Sequence, residues 1–239
     1  LRIIGDLTAA GATYRALEFT GDTVEAMSLS SRMTMANMGI EAGAKCALFA
    51  PDEKTAEYLG IELTDAERGL AGDADAPCEK VLRYRAEDFV PVMALPSNVD
   101  HVAAIRDLEP VDIDQVFLGS CTNGRLEDLM AAAEILKGKH IAPFVKLIVT
   151  PASRKIWEEA EANGTLATLS AAGAMITHPS CGLCCGRTGG ILSDGERVVA
   201  TNNRNFLGRM GSSKVEIYLA SPKSAAASAL TGKLTEAAC

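Results

Sequence analysis

The second half of the chain alternates short apolar runs with helical patterns, and this order constrains the fold more than any other feature. Apolar runs occupy residues 115–119, 145–149, 174–177, 198–200 and 215–220. Helical patterns cover residues 125–136 and 152–161, and Pro222 suits the first turn of a helix through Ala229. Apolar strands separated by helices are typical of a parallel sheet covered by helices. We therefore predict an α/β fold with two three-layer α/β/α units and mainly parallel sheets.

The first half of the chain is less regular, and prolines separate it from the second half. Pro91, Pro96 and Pro110 surround a short helical stretch, and segments punctuated in this way often join compact units. We predict one domain over residues 1–95 and another over residues 96–239. Within the first, the local patterns predict strands at residues 1–4, 46–50 and 80–84 and a helix from a Ser31 cap to about Ala44.

Composition and charge argue against several classes of partner. The 239 residues are 48% hydrophobic, which is enough to bury a sizeable core, and the net charge is −8. Because no run of Lys or Arg forms a phosphate-binding stripe, we do not expect a nucleic-acid partner. No apolar stretch approaches the roughly 20 residues of a membrane-spanning helix, and the first residues lack the order of a signal peptide. We expect a globular cytoplasmic protein without a membrane partner, and a fragment or processed subunit because Leu1 is not Met.

One loop concentrates cysteine. Three of the seven cysteines fall between Cys181 and Cys185, in the segment His-Pro-Ser-Cys-Gly-Leu-Cys-Cys-Gly that begins at His178. Such a group suits ligands better than a disulfide framework, and its glycines let the backbone approach a sulfur-ligated centre. The spacing alone leaves open whether Cys184 or Cys185 acts together with Cys181.

Cys121 lies in a second loop, Gly-Ser-Cys-Thr-Asn, between an apolar run and a helix that carries Glu127 and Asp128 in its first turn. A thiolate is favoured near a helix N-terminus, although a packed or capping-loop thiol explains an isolated cysteine equally well. A structural zinc site requires four ligands, and the chain has no second Cys-x-x-Cys or paired-His motif. Three cysteines fit an iron–sulfur cubane whose remaining iron stays open as a Lewis acid.

Polar residues at two other places are candidates for substrate contacts. Arg204 and Arg209 lie among amides and a glycine, and guanidinium groups bind carboxylates bidentately. Solvated surface arginines or a structural salt bridge are the alternative interpretation. Asn37 and Glu41 stand four apart on the predicted helix and would share one face, where ordinary solvent-exposed polar residues also occur.

Together these motifs resemble the aconitase superfamily, and within it the 3-isopropylmalate dehydratase and homoaconitase type. Four segments occur in the family's order, and the similarity runs from Leu1 to about Leu234. They are the helix at residues 33–41, the loop at residues 119–123, the Cys181 and Cys184 pair, and residues 203–209.

The resemblance implies a [4Fe–4S] cluster whose ligands are Cys121, Cys181 and Cys184, and thereby favours Cys184 over Cys185. It also implies catalytic roles for Asn37 and Glu41 beside the open iron. The residues it implies for holding substrate carboxylates are Asn203, Arg204 and Arg209. The chain departs from the family at Cys185, where a bulky apolar residue is more common, and at Asn202, where Ser is more common.

The function implied by the resemblance is that of a hydro-lyase large subunit, which isomerises 2-isopropylmalate to 3-isopropylmalate in leucine biosynthesis by dehydration and rehydration. A homoaconitase or a dimethylmalate-type dehydratase is the alternative, so the substrate is a small di- or tricarboxylic acid. Two further components are implied outside the chain: the family's N-terminal domain and a small swivelling subunit that carries the catalytic serine. A non-catalytic iron–sulfur or metal-binding module is the alternative of another class.

Overall fold

The structure is a computed structural model that describes residues 1–73 and 75–237, and it divides into two compact units. The N-terminal unit is Ala10–Val90, and the sheet unit combines Leu1–Ala9 with Pro91–Cys239. The boundary therefore falls a few residues before the predicted one at residue 96, because Val92–Ala94 is a strand of the main sheet. The first residues also differ from the prediction, since the Ala9 amide donates to Asp100 Oδ2 at 2.7 Å within the sheet unit.

Short helices and strands account for the regular structure of the described residues. The helices are α1 (Arg2–Leu7), α2 (Asp22–Ala26), α3 (Leu29–Met38), α4 (Glu53–Leu59), α5 (Asp65–Arg68), α6 (Ser120–Asn123), α7 (Leu126–Leu136), α8 (Arg154–Ala162), α9 (Thr165–Ala171) and α10 (Pro222–Thr231). The strands are β1 (Ala16–Phe19), β2 (Cys46–Phe49), β3 (Val92–Ala94), β4 (Val102–Ala104), β5 (Gln115–Gly119), β6 (Lys146–Thr150), β7 (Met175–Ile176), β8 (Arg197–Ala200) and β9 (Glu216–Leu219). None of these helices has both the length and the apolar character needed to cross a lipid bilayer.

The N-terminal unit is built around the parallel pair β1 and β2, whose Phe19 and Phe49 rings stack at 5.1 Å. Helix α3 connects the two strands and packs on β2. Its cap is Ser28, which accepts from the Ser31 amide at 3.1 Å, so the predicted Ser31 cap was wrong by one turn. The α-helix also ends early, at Met38, because Gly39 begins a 3-10 turn that lies directly against Ala47.

A buried arginine anchors α3 in this unit. Arg32 is 3% exposed, and its Nη1 lies 2.7 Å from Asp52 Oδ2 at the N-terminus of α4. Its other nitrogens donate to the carbonyls of Val24 and Glu25. Burial raises the pKa of Asp52, but hydrogen bonds from Arg32 and Thr55 outweigh it, and the pKa lies below its usual value.

The sheet unit contains a sheet with the strand order β4-β3-β9-β8-β5-β6-β7 over the described residues. The five strands from β9 to β7 run parallel, whereas β3 and β4 add an antiparallel edge. The predicted α/β fold with a mainly parallel sheet is confirmed. The chain runs outward from β5 through β6 to β7 and then returns to β8 on the other side of β5. This reversal makes a switch point between β5 and β8, where α/β sheets usually bind ligands.

The two faces of β5 pack against different partners. Val116 and Leu118 belong to the core formed with α7, α9 and α10, where every second strand residue faces the helices. Gln115 faces the other way, and its Nε2 donates to the Gly190 carbonyl at 2.9 Å. A Cβ on Gly190 would lie 2.2 Å from Ile148 Cδ1, so the backbone of the cysteine-bearing loop lies directly on this second face.

Two predicted strands near the N-terminus were wrong. Residues 1–4 lie at the start of helix α1, because Leu1, Ile4 and Leu7 recur at the three-residue interval of a helix and Ile4 is buried. Residues 80–84 form no regular structure in the described part of the chain, and all of them are exposed. A short run of Val and Leu between charged residues buried no face there.

Candidate metal centre

Three loops that leave the sheet at strand carboxyl ends carry most of the predicted site residues. Cys121 follows β5, the segment with Cys181 and Cys184 follows β7, and Arg204 and Arg209 follow β8. Because β5 and β8 flank the switch point, the first and third loops leave the sheet side by side. The topology therefore brings residues together that are more than 80 positions apart in sequence.

The turn that carries Cys121 is possible only with glycine. Gly119 has φ +123°, and a Cβ there would lie 2.0 Å from the Thr150 carbonyl oxygen. The next residue, Ser120, holds a φ of 89°, which is costly for a residue with a side chain. The strand thus reverses sharply into α6 and leaves Cys121 at the carboxyl edge of the sheet.

Side-chain hydrogen bonds connect the loops at this edge. Asn123 Nδ2 donates to the Thr201 carbonyl at 2.6 Å and joins the loop after β5 to the loop after β8. The hydroxyls of Thr150 and Thr177 lie 2.6 Å apart and join the ends of β6 and β7. Each hydrogen bond therefore fixes the origins of two loops relative to one another.

Backbone contacts hold the cysteine loop against the arginine loop. A 3-10 turn covers Gly182–Cys185, and Gly186 follows with φ +65°. A Cβ on Gly186 would lie 3.0 Å from the Arg209 carbonyl oxygen, so glycine permits this close approach. Farther along, the Leu192 amide donates to the Met210 carbonyl at 3.0 Å.

Three thiols share one cavity. A cavity of about 200 Å³ is lined by Cys121, Cys181 and Cys184, and Ser120, Ala152, Pro179 and Ser180 complete its wall. Cys185 is not part of this lining, and its Sγ contacts the Gly182 carbonyl at 3.5 Å. Electrostatic interaction with Cys185, then burial and interaction with Cys184 and Cys121, raise the pKa of the Cys181 thiol. These four sulfurs are close enough to interact electrostatically.

Nitrogen donors face one of the three sulfurs. Asn202 Nδ2 and Arg209 Nη2 each lie 3.7 Å from Cys184 Sγ. Across the residues 1–73 and 75–237, no group of three or more His, Cys, Asp or Glu side chains is arranged as ligands of a single metal ion. In an iron–sulfur cubane each cysteine binds a different iron, and hydrogen bonds to sulfur stabilise the bound thiolates. Three thiols around one cavity, with donors on Cys184, fit that group.

The remaining predicted site residues lie in two places. Asn203 and Arg204 are half-buried in the loop after β8, and the Asn203 Oδ1 atom is buried without a hydrogen-bond partner among the described residues. Asn37 and Glu41 belong to the N-terminal unit, where Asn37 is on α3 and Glu41 is in the 3-10 turn. The change of helix type between them removes the premise of the shared-face argument, and their catalytic role stays a prediction.

A second, more open cavity of about 420 Å³ lies elsewhere in the sheet unit. Its lining includes Lys137, Lys139 and His140, which follow the last turn of α7, and residues at the end of α9. Positive side chains complement the negative ends of helix dipoles. Their position near the C-termini of α7 and α9 is electrostatically favourable, and we assign them no further role.

Sequence reasoning missed two contacts at the cysteine loops. Asn202 contacts Cys184, and the single tryptophan, Trp157, stacks on His178 with ring centroids 6.0 Å apart. The run of two asparagines at residues 202–203 was the available signal for the first contact. The second joins α8 to the start of the cysteine loop, and no motif marks it.

Comparison of the sequence with known proteins identifies the family of this chain. The model of the aconitase family (aconitate hydratase) matches residues 1–232. The chain belongs to the aconitase family. Among curated members, the chain is 48% identical over 236 residues to "3-isopropylmalate dehydratase large subunit 1" of Methanopyrus kandleri, covering 99% of this chain and 56% of that protein.

Other members of the aconitase family give similar values. The chain is 46% identical over 237 residues to "3-isopropylmalate dehydratase large subunit 2" of Archaeoglobus fulgidus, and 48% identical over 242 residues to "3-isopropylmalate dehydratase large subunit" of Wolinella succinogenes. Each alignment covers 99% of this chain and 57% of the relative. The chain thus spans little more than half the length of these aconitase-family relatives.

Proposed function

We propose that this chain supplies the cluster site of a hydro-lyase large subunit, which isomerises 2-isopropylmalate to 3-isopropylmalate by dehydration and rehydration in leucine biosynthesis. The observation that carries the proposal is the cavity lined by Cys121, Cys181 and Cys184, with two nitrogen donors on Cys184. The relatives named 3-isopropylmalate dehydratase large subunit support the substrate. The known iron–sulfur chemistry of the aconitase family supports a [4Fe–4S] cluster.

The residues of this chain would bind and orient the substrate. When bound, the cluster supplies a Lewis-acidic iron that polarises the departing hydroxyl group. Arg204 and Arg209 hold carboxylates, since a guanidinium group presents paired N–H donors in one plane. Arg209 has five N–H donors, so its contact with Cys184 leaves others for substrate. The buried Asn203 Oδ1, which has no hydrogen-bond partner among the described residues, accepts a hydrogen bond from a substrate hydroxyl.

The proposal requires groups that the cavity itself does not contain. We assign Asn37 and Glu41 catalytic roles at the water that is lost and returned, as the family resemblance implies. The base that removes a proton beside a carboxylate is a serine of a small partner subunit. The name "large subunit" of the relatives supports such a partner.

An assay of the whole protein with its small subunit tests the proposal. After anaerobic reconstitution with iron and sulfide, the complex should show the broad visible absorbance of an iron–sulfur cluster and isomerise 2-isopropylmalate. Homocitrate and 2,3-dimethylmalate serve as competing substrates. Faster turnover of either would replace the substrate assignment, and bound zinc without the absorbance would reject the cluster.

The carboxylate clamp has its own test. Arg204→Ala should lower kcat/KM roughly 10–100-fold, as expected for the loss of a charged hydrogen bond of about 1.5–3 kcal/mol. Arg187→Ala is the matched control, because Arg187 is an exposed arginine of the cysteine loop. Equal kcat/KM values in Arg204→Ala and Arg187→Ala would show that Arg204 does not hold a substrate carboxylate.

A further inference from the structure

Asn202 is a buried amide at the carboxyl end of β8, and it is one of the two nitrogen donors that face Cys184. It is 2% exposed and immediately precedes the proposed substrate residues Asn203 and Arg204. A buried amide must place both its donor and its acceptor, because an unpaired buried polar group is costly. The atoms around Asn202 therefore indicate which groups its donor and its acceptor face.

The neighbours fix the orientation of the amide. Nδ2 lies 3.7 Å from Cys184 Sγ, 3.4 Å from the Arg204 carbonyl oxygen and 3.9 Å from Met210 Sδ. A carbonyl oxygen only accepts hydrogen bonds, and sulfur accepts them weakly, so the NH₂ group faces this side. The Oδ1 atom, in turn, is buried without a hydrogen-bond partner among the described residues. The Nδ2 donor of Asn202 therefore faces Cys184, while its Oδ1 acceptor is unsatisfied among the described residues.

We propose that Asn202 is a positioning residue which holds the Cys184 sulfur toward the cavity and raises the reduction potential and the air stability of the cluster. The inference rests on the proposed function, since it concerns the same cluster. An N–H donor stabilises negative charge on the cluster and its sulfur ligands, and the reduced cluster carries one more electron. Asn202 and Arg209 both point nitrogen at Cys184, whereas Cys185 contacts a carbonyl oxygen. Cys184 thereby differs from its neighbour in environment as well as in position.

The same loop provides a matched control. Asn205 is also 2% exposed, but its Nδ2 donates to the carbonyls of Leu95, Asn98 and Ile217 and to no sulfur of the described residues. A change at Asn205 therefore disturbs the loop without removing a donor from Cys184. It separates general loosening of the loop from a direct effect on the sulfur.

The experiment uses the whole protein, reconstituted anaerobically with iron and sulfide, as wild type and as the variants Asn202→Ser, Asn202→Asp and Asn205→Ser. The reduction potential comes from a titration monitored by electron paramagnetic resonance, and cluster loss from the decay of visible absorbance in air. Asn202→Ser should weaken reduction three- to tenfold in equilibrium constant, about 30–60 mV for one electron. It should also speed cluster loss three- to tenfold. Asn202→Asp should change both further, because it places a carboxylate beside the sulfur.

The order of the two Asn202 variants is diagnostic. Asp is nearly isosteric with Asn, whereas Ser leaves a gap, so a merely structural role predicts the larger effect in Asn202→Ser. Potentials and loss rates equal to wild type in both variants, or equal to those of Asn205→Ser, would overturn the inference while the proposed function stands. A wild-type protein that assembles no cluster would overturn both.

Discussion

The hydroxyl of Thr201 makes two hydrogen bonds to the backbone of Gly119: it accepts from the Gly119 amide at 2.8 Å and donates to the Gly119 carbonyl at 3.1 Å. One side chain at the end of β8 thus replaces ladder bonds at the end of β5, on the two sides of the switch point. Thr201 is 1% exposed. Its bonds fix the origin of the Cys121 loop relative to the loop that carries Asn202.

We expect Thr201→Val to lower the free energy of unfolding by about 1–3 kcal/mol, because it leaves buried backbone groups unsatisfied at constant side-chain volume. Denaturant unfolding of the whole protein measures this change. Thr168→Val, which removes one half-buried hydroxyl bond to the Gly164 carbonyl in α9, is the control and should cost about 0.5–1 kcal/mol. A Thr201 variant no less stable than the control would show that the bridge contributes little.

Gly119 itself provides the second prediction. Gly119→Ala should destabilise the protein by roughly 2–5 kcal/mol, since it combines an unfavourable φ with a contact of 2.0 Å to the Thr150 oxygen. Gly138 also has a positive φ, of +70°, but no atom of the described residues lies within 4 Å of the new Cβ, so Gly138→Ala should cost about 1–2 kcal/mol. The difference between the two midpoints in urea measures the added cost of the Gly119 conformation together with the contact to Thr150. Equal losses of stability would mean that the turn after β5 relaxes freely.

These predictions concern a region that the sequence describes well. The strands from β5 onward were predicted within about two residues because they are mostly apolar runs bounded by turn residues. The helix predicted to begin at residue 125 begins at Leu126, and it was predictable because its buried Leu129 and Leu136 have helical spacing. A strand buried on both faces leaves an apolar run, and a helix buried on one face leaves apolar residues at helical spacing. Both patterns can be read from a single sequence.

The errors have a different physical origin. Residues 1–4 carry several apolar side chains in succession, and over so short a window a strand and the first turn of a helix give the same pattern. Ser28 and Ser31 are equivalent as caps until the surrounding backbone is known. Asn202 and Cys184 are 18 residues apart and lie in the loops after β8 and β7, which meet through tertiary contacts such as the Leu192 amide on the Met210 carbonyl.

Asp128 makes the stability of the sheet unit depend on pH. Burial raises the pKa of Asp128 to about 6. The hydrogen bond from the Arg125 amide opposes this increase, and the negative charge of Glu127 adds to it. The native state therefore holds a proton that the unfolded state releases, and stability falls as the pH rises from about 4 to about 6. Asp128→Asn should remove this slope, which amounts to roughly 1–3 kcal/mol.

The measurement is the free energy of unfolding between pH 4 and 7 for wild type, Asp128→Asn and Glu127→Gln. Glu127 is exposed, so its variant should keep most of the wild-type slope. Parallel profiles for wild type and Asp128→Asn would assign the pH dependence to other groups.

The N-terminal unit depends on Arg32. Arg32→Leu should lower the free energy of unfolding by roughly 2–4 kcal/mol, because it removes the partner of Asp52 and leaves the Val24 carbonyl without its donor. Arg68→Leu breaks the exposed pair with Glu53 in the same unit and should cost less than about 1 kcal/mol. Proteolysis of residues 10–90 provides a local readout. Similar protection in the two variants would contradict the anchoring role.

The cysteines themselves test the central claim most directly. The measurement is iron and sulfide bound per chain after anaerobic reconstitution of the whole protein, in Cys121→Ser, Cys181→Ser, Cys184→Ser and Cys185→Ser. The account predicts that the first three variants lose most of the cluster, since each removes a thiol from the cavity, and that Cys185→Ser retains wild-type iron and absorbance. Full retention in Cys184→Ser together with loss in Cys185→Ser would contradict it.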